Sequence, residues 1–256
     1  MCSVSLIRCG ALALVSTLGV WLPSSASASG ETAKVTAALQ PERLGAPTAI
    51  SLHFKVAAGR GAVPAPLSGI DVFLPPNLGI ATSGLGVASC DPAALEALGP
   101  AVCSPNSRMG SGSAIVEIPI GPEVRQEHVK LTLFAGPSPD GYLRILIYAI
   151  GKFPVEAQIV LTSILRPGQL QITVPLVPSL PGGPDVSLVD MRATLGGNLT
   201  YLERVNGRTA AYHPKGIGLP ARCPRKGFGF GAMFLFVDGG RVPAHTAVAC
   251  PRTRRG

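Results

Sequence analysis

CPRKGFGFGAMFLFVDGGRVPAHTAV, residues 223–248, can be read in two ways, and the choice decides the fold. Lys226-Gly227-Phe228-Gly229-Phe230 follows the first five positions of the RNP1 signature, in which a strand offers aromatic rings to stacked RNA bases. Phe228, Phe230, Phe234 and Phe236 do fall on one strand face. The other face, with Gly229, Gly231, Met233, Leu235 and Val237, is also small or apolar. A strand with no charge on either face belongs inside a protein, whereas base stacking needs an open sheet face. Gly231 stands where the signature wants an aliphatic residue, and neither the βαββαβ helices nor an RNP2 partner is found. Nucleic acid is therefore excluded as a partner. The stretch reads as a buried strand and its hairpin return, turning at Asp238-Gly239-Gly240.

The same alternation runs outward along the chain. In TAISLHFKV, Ile50, Leu52, Phe54 and Val56 face one way, and Ser51, His53 and Lys55 the other. EHVKLTLF repeats the pattern with Val129, Leu131 and Leu133 inward. GYLRILIYAI and VEAQIVLTSIL are longer apolar runs, expected as central strands. SAIVEIPI and DVSLVDMRATL are further strands. Glycine (31) and proline (25) punctuate the whole sequence, while 46% hydrophobic content argues against disorder. Only DPAALEALG, residues 91–99, reads as helix, with Asp91 as N-cap and Pro92 at the first helical position. The expectation is an all-β protein: an antiparallel, disulfide-braced β-sandwich, Ig-like or jelly-roll-like, of about twelve strands. It forms one domain over 29–251 with a basic tail at 252–256; two tandem sandwiches are the alternative.

The first thirty residues carry one charge, Arg8, an apolar run from Gly10 to about Leu22, and the small-residue pattern Ala26-Ser27-Ala28. This is the layout of a signal peptide over 1–28. The run is roughly 13 residues, short of the about 20 that span a bilayer, so no transmembrane anchor is expected after cleavage, and the protein is expected to be secreted, extracellular or associated with the cell envelope. Cys90, Cys103, Cys223 and Cys250 then remain, an even number in an oxidising compartment. Of three connectivities, the local pairs Cys90–Cys103 and Cys223–Cys250 are favoured. The spacings do not suit a zinc site.

Charge is lopsided. Residues 201–256 hold ten Lys/Arg and two acids, whereas residues 29–200 hold eleven Lys/Arg and twelve acids. Arg222, Arg225 and Lys226 flank Cys223, and Arg252, Arg254 and Arg255 follow Cys250. Pairing of these cysteines would bring both clusters to one basic pole, suited to an anionic cell-wall polymer or lipid headgroups. No nucleophile elbow, S-x-x-K, H-E-x-x-H, P-loop or dinucleotide fingerprint occurs, so no catalytic residue, metal ligand or cofactor is assigned. His53, His128, His213 and His245 are scattered singly, and Asp185, Asp190 and Glu203 form no recognisable pair. Asn198-Leu199-Thr200 matches a glycosylation acceptor.

CDPAALEALGPAVCSPNSRMGSGSAIVEIP, VPLVPSLPGGPDVSLV and HPKGIGLPARCPRKGFGF together resemble a group of uncharacterised secreted β-rich proteins of high-GC Gram-positive bacteria. The resemblance implies pairing of the cysteines within the two blocks. That group has no known activity, so no functional residue is carried over. The resulting expectation is a secreted, non-enzymatic structural or binding module contacting a polyanion through its basic pole. A secreted hydrolase with a site assembled from loops, and a carrier of an apolar ligand between the sheets, are the alternatives. A deep cleft with convergent histidines or carboxylates would favour the hydrolase; an apolar cavity lined by Leu, Ile and Phe would favour the carrier.

Overall fold

The computed structural model describes residues 30–154, 156–197 and 199–251. Residues 1–29, which include the segment expected as a signal peptide over 1–28, together with Val155, Asn198 and the tail 252–256, lie outside the described residues. The strands are β1 (Glu31–Gln40), β2 (Ala49–Ala58), β3 (Leu67–Phe73), β4 (Gly79–Ile80), β5 (Arg108–Ile120), β6 (Glu123–Gly136), β7 (Leu143–Gly151) and β8 (Ala157–Arg166). They continue with β9 (Gln169–Thr173), β10 (Ser187–Gly196), β11 (Tyr201–Val205), β12 (Arg208–Tyr212), β13 (Ile217–Gly218), β14 (Phe228–Phe236) and β15 (Arg241–Val248).

Eleven of them form one antiparallel sheet in the order β1-β2-β10-β5-β6-β7-β8-β9-β3-β14-β15. Its two edge strands, β1 and β15, lie against each other, so the sheet is nearly closed on itself. The two packed layers of a sandwich are here opposite walls of one curled sheet. Both halves of the chain supply neighbouring strands: β3 lies between β9 and β14, and β10 between β2 and β5.

The inward phase of the walls is mostly apolar, with Glu127 of β6 and Ser163 of β8 among the buried exceptions. Phe54, Ile70, Val72, Ile145 and Phe234 are at most 1% exposed in a single continuous core. β14 behaves as a strand flanked on both sides, and Phe228, Phe230, Phe234 and Phe236 all point into this core. Phe54 meets Phe234 edge-to-face with ring centroids 5.6 Å apart, a favoured aromatic geometry. The RNP1-like rings are therefore closed to any base. The hairpin turns as expected, with Asp238 Oδ1 accepting from Gly240 N at 2.8 Å.

β7 is apolar on both faces for a specific reason. Its inward residues Ile145, Ile147 and Ala149 join the main core. Its outward residues Leu146 and Tyr148, with Phe134 of β6, are covered by helix α1 (Pro92–Leu98) and the segment around it. Asp91 caps that helix, accepting from Ala94 N at 2.8 Å, and Leu95 is fully buried beneath it. The Cys90–Cys103 disulfide, Cα–Cα 5.0 Å, closes the segment, and Cys90 N donates to Ala135 O of β6 at 2.7 Å. The second disulfide is Cys223–Cys250, Cα–Cα 5.9 Å. Both pairs are the local ones, and all four cysteines are used. Two disulfides fit an oxidising compartment. Among the described residues no helix is long and apolar enough to cross a membrane.

Candidate functional site

Strand register sorts the connections to two ends. The β5–β6, β7–β8, β9–β10 and β14–β15 connections gather at one end. The β3–β5 and β10–β14 segments lie at the other. That second end is plugged. Leu85, Ile217 and Leu219 are buried there, and β4 pairs with β13 across it. Gly216 and Gly84 approach so closely that a Cβ on either would overlap the other's backbone.

The first end holds an apolar cavity of ≈160 Å³. It is lined by Leu67 and Ile70 of β3, Ala114, Val116 and Ile118 of β5, Val129 and Leu131 of β6, and Ile159 and Leu161 of β8. Small side chains at inward positions make the room. Ala149 stands in register between Leu131 and Ile159, Gly151 opposite Ala157, and Ala114 between Val129 and Met191. A second cavity of ≈50 Å³ lies deeper, lined by Phe54, Leu133, Ile147 and Leu165 among others. Ile172 and Met191 line both, so they form the partition between two voids along the barrel interior. An apolar cavity of about 150 Å³ is large enough to hold benzene.

The mouth is formed by the β9–β10 connection. Val174, Leu176, Val177 and Val186 line the cavity. Val186 N donates to Val177 O and Ser179 N to Pro184 O, both at 2.8 Å, which folds the segment back on itself. Its tip, Leu180-Pro181-Gly182-Gly183, has Gly182 at φ +75° and a Gly183 N to Leu180 O bond of 2.8 Å. That is a type II turn, with proline and glycine at the positions it favours. Phe153 (81% exposed), Leu176 (51%) and Leu180 (48%) leave large apolar surfaces at this end.

Two polar groups interrupt the apolar lining. Glu127 of β6 is 3% exposed, on the inward phase with Val129, Leu131 and Leu133. Its Oε1 accepts from Phe153 N at 3.1 Å. A Cβ at Gly151 would overlap the carboxylate, so glycine is what lets the acid lie against this backbone. Burial raises the Glu127 pKa above its ordinary 4.5, and the amides of Phe153 and Lys152 hold part of that rise back. Among the described residues no Lys, Arg or His forms an ion pair with it. Ser179, 4% exposed, lines the same cavity, and its hydroxyl has no hydrogen-bond partner. Neither residue is announced by a motif. The signal in the sequence was phase: Glu127 is the acid two places before Val129 in a period-2 apolar series.

The residues singled out for polyanion contact lie elsewhere. Arg222, Arg225 and Lys226 are exposed beside the Cys223–Cys250 disulfide, at the plugged end opposite the mouth. None pairs with a carboxylate among the described residues. Arg252, Arg254 and Arg255 lie outside the described residues. Of the histidines, His128, His213 and His245 are exposed singly. His53 is half-buried on the outward face of β2, with Nε2 2.7 Å from Asp190 Oδ2. Arg192 Nε at 3.6 Å and Lys55 Nζ at 3.9 Å share that carboxylate, away from both cavities. Comparison with protein-family models, curated proteins and solved structures found no match for the chain.

Proposed function

We propose that this is an exported carrier or binding protein for a small apolar or amphipathic molecule, held in the barrel end bounded by the β9–β10 connection. The observation that carries the reading is the ≈160 Å³ apolar cavity with one end plugged and apolar side chains exposed at the other. Core packing normally leaves few voids wider than a water molecule, and here alanine and glycine occupy four inward positions around the space. Natural ligand sites are concave and mostly apolar, with a few placed polar groups. The hydrolase alternative would need convergent catalytic groups, whereas the cavity contains one carboxylate and the His53–Asp190 pair is on the outer wall.

Calorimetric titration of the purified protein with 1-octanol and with toluene tests the reading. The expected result is saturable binding of one molecule per chain with a negative heat-capacity change, the mark of apolar burial. Absence of saturable binding of either compound would overturn it.

The basic pole supports a second, separate proposal: electrostatic retention on an anionic envelope polymer. What favours it is the exposure of Arg222, Arg225 and Lys226 on the face away from the cavity mouth, so envelope attachment and ligand exchange would not obstruct each other.

A further inference from the structure

Resting on the carrier reading, we infer that the ligand is a primary alkylammonium, its cationic head paired with the Glu127 carboxylate and its alkyl part running inward past Ala149 toward Ile172 and Met191. All four residues line the same cavity. Glu127 precedes Val129 and Leu131 on β6, so it stands nearer the mouth than they do. At about 3.3 Å per residue of strand, roughly 13 Å of wall runs from the acid to Leu131.

The charge of the head follows from what the acid lacks. Glu127 is 3% exposed, and the Phe153 amide and the bare backbone at Gly151 fix its carboxylate in place. Amides supply hydrogen bonds but no counter-charge. Among the described residues no Lys, Arg or His forms an ion pair with it, and the side chain of Lys152 is exposed. The rest of the described lining is without an ionisable side chain. A buried charge is costly unless it is paired. The free protein therefore holds one half of an ion pair, and the rise that burial gives the Glu127 pKa reflects the missing half. A cation arriving through the mouth completes the pair. An alcohol brings a hydrogen bond but no charge, and a fatty carboxylate brings like charge. A primary ammonium has three N–H donors for the acceptor positions that the amides leave open. A quaternary ammonium has no donor and is ordinarily held by aromatic faces, of which the described lining has none. The field of the whole chain, at net charge +8, repels cations, so a preference for one must come from this local contact.

Titration of the wild-type protein and of Glu127→Gln with octylammonium, octyltrimethylammonium, 1-octanol and octanoate at pH 7.5 tests the assignment, with the toluene affinity of each protein as its own reference. In the wild type octylammonium should bind tightest of the four. Relative to toluene, Glu127→Gln should weaken octylammonium at least roughly tenfold, as the charged partner is lost, and should strengthen octanoate. Octanol or octanoate binding the wild type as tightly as octylammonium would overturn the ammonium assignment and leave the carrier reading standing. So would an octylammonium-to-toluene ratio unchanged in Glu127→Gln. Equal binding of octyltrimethylammonium would overturn the choice of a primary amine. Should the variant not fold, the wild-type order decides alone. Failure of all the ligands, toluene included, to bind the wild type would instead overturn the carrier reading itself.

Discussion

Replacing Ala149 with leucine places three more carbons in the cavity from inside its wall. Ala149 lies in register between Leu131 and Ile159, is 5% exposed, and points inward. Three buried carbons at about 0.8 kcal/mol each give a gain of about 2.4 kcal/mol. Ordering a leucine side chain takes back about 0.5–1 kcal/mol. The net expectation is a protein more stable by about 1–2 kcal/mol. For a domain of this size that raises Tm by about 2–8 °C at roughly 2–4 °C per kcal/mol. The same three carbons occupy the space a ligand needs, so 1-octanol affinity should fall at least about tenfold. The assay pairs scanning calorimetry with octanol titration. Were the space around Ala149 already filled, the added carbons would strain the wall and cost about 1–3 kcal/mol. A drop in Tm, or octanol affinity equal to wild type, would refute the reasoning.

Glu127 gives a pH signature. Its folded pKa is raised, so the native state holds the proton more tightly than the unfolded chain does. Stability from this group is full below the ordinary value of 4.5 and is lost as pH rises through the raised value. Glu127→Gln, which keeps an acceptor for Phe153 N, should remove that decline in denaturant titrations across the window; an equal decline in the variant would contradict the assignment. Converting Cys90 and Cys103 to serine opens a 13-residue separation and should cost about 3 kcal/mol by loop entropy, read as an earlier urea midpoint. No shift would mean that packing under α1 holds the segment alone. Changing Arg222, Arg225 and Lys226 to glutamate should abolish salt-sensitive retention on an anionic polymer matrix. Retention unchanged from wild type would dismiss the basic pole as a contact surface.

Much of the fold was legible because one face of each strand meets a core. The alternations in residues 49–58 and 123–136 mark β2 and β6 directly, and the phenylalanine series marks β14. Asp91-Pro92 marks the helix start through cap chemistry that acts locally. β1 and β3 were harder. In ETAKVTAALQ alanines stand at inward positions where large residues would make the period visible, and LSGIDVF is short and interrupted by glycine. The closure of the sheet could not be read, because it depends on β1 meeting β15 across more than two hundred residues.

The cavity was hidden for a related reason. It is made by what is missing at Ala114, Ala149, Gly151 and Ala157, and small residues on a strand carry no signal until their neighbours across the ladder are known. Ser179 directly precedes a turn whose Pro-Gly sequence predicts its shape, yet nothing local says that the turn rests over a cavity. The exposed position of Arg222, Arg225 and Lys226, by contrast, was legible, since they flank a cysteine whose partner is local.

The measurement that bears most directly on the central claim is a methyl-resolved NMR titration of the protein with toluene. The account predicts saturable shifts at Leu131, Leu161 and Ile172, which line the larger cavity, and no saturable shifts at Leu95 and Leu146, which lie beneath α1 on the outer wall. Shifts that grow without saturating, or that appear under α1 and not around the cavity, would contradict it.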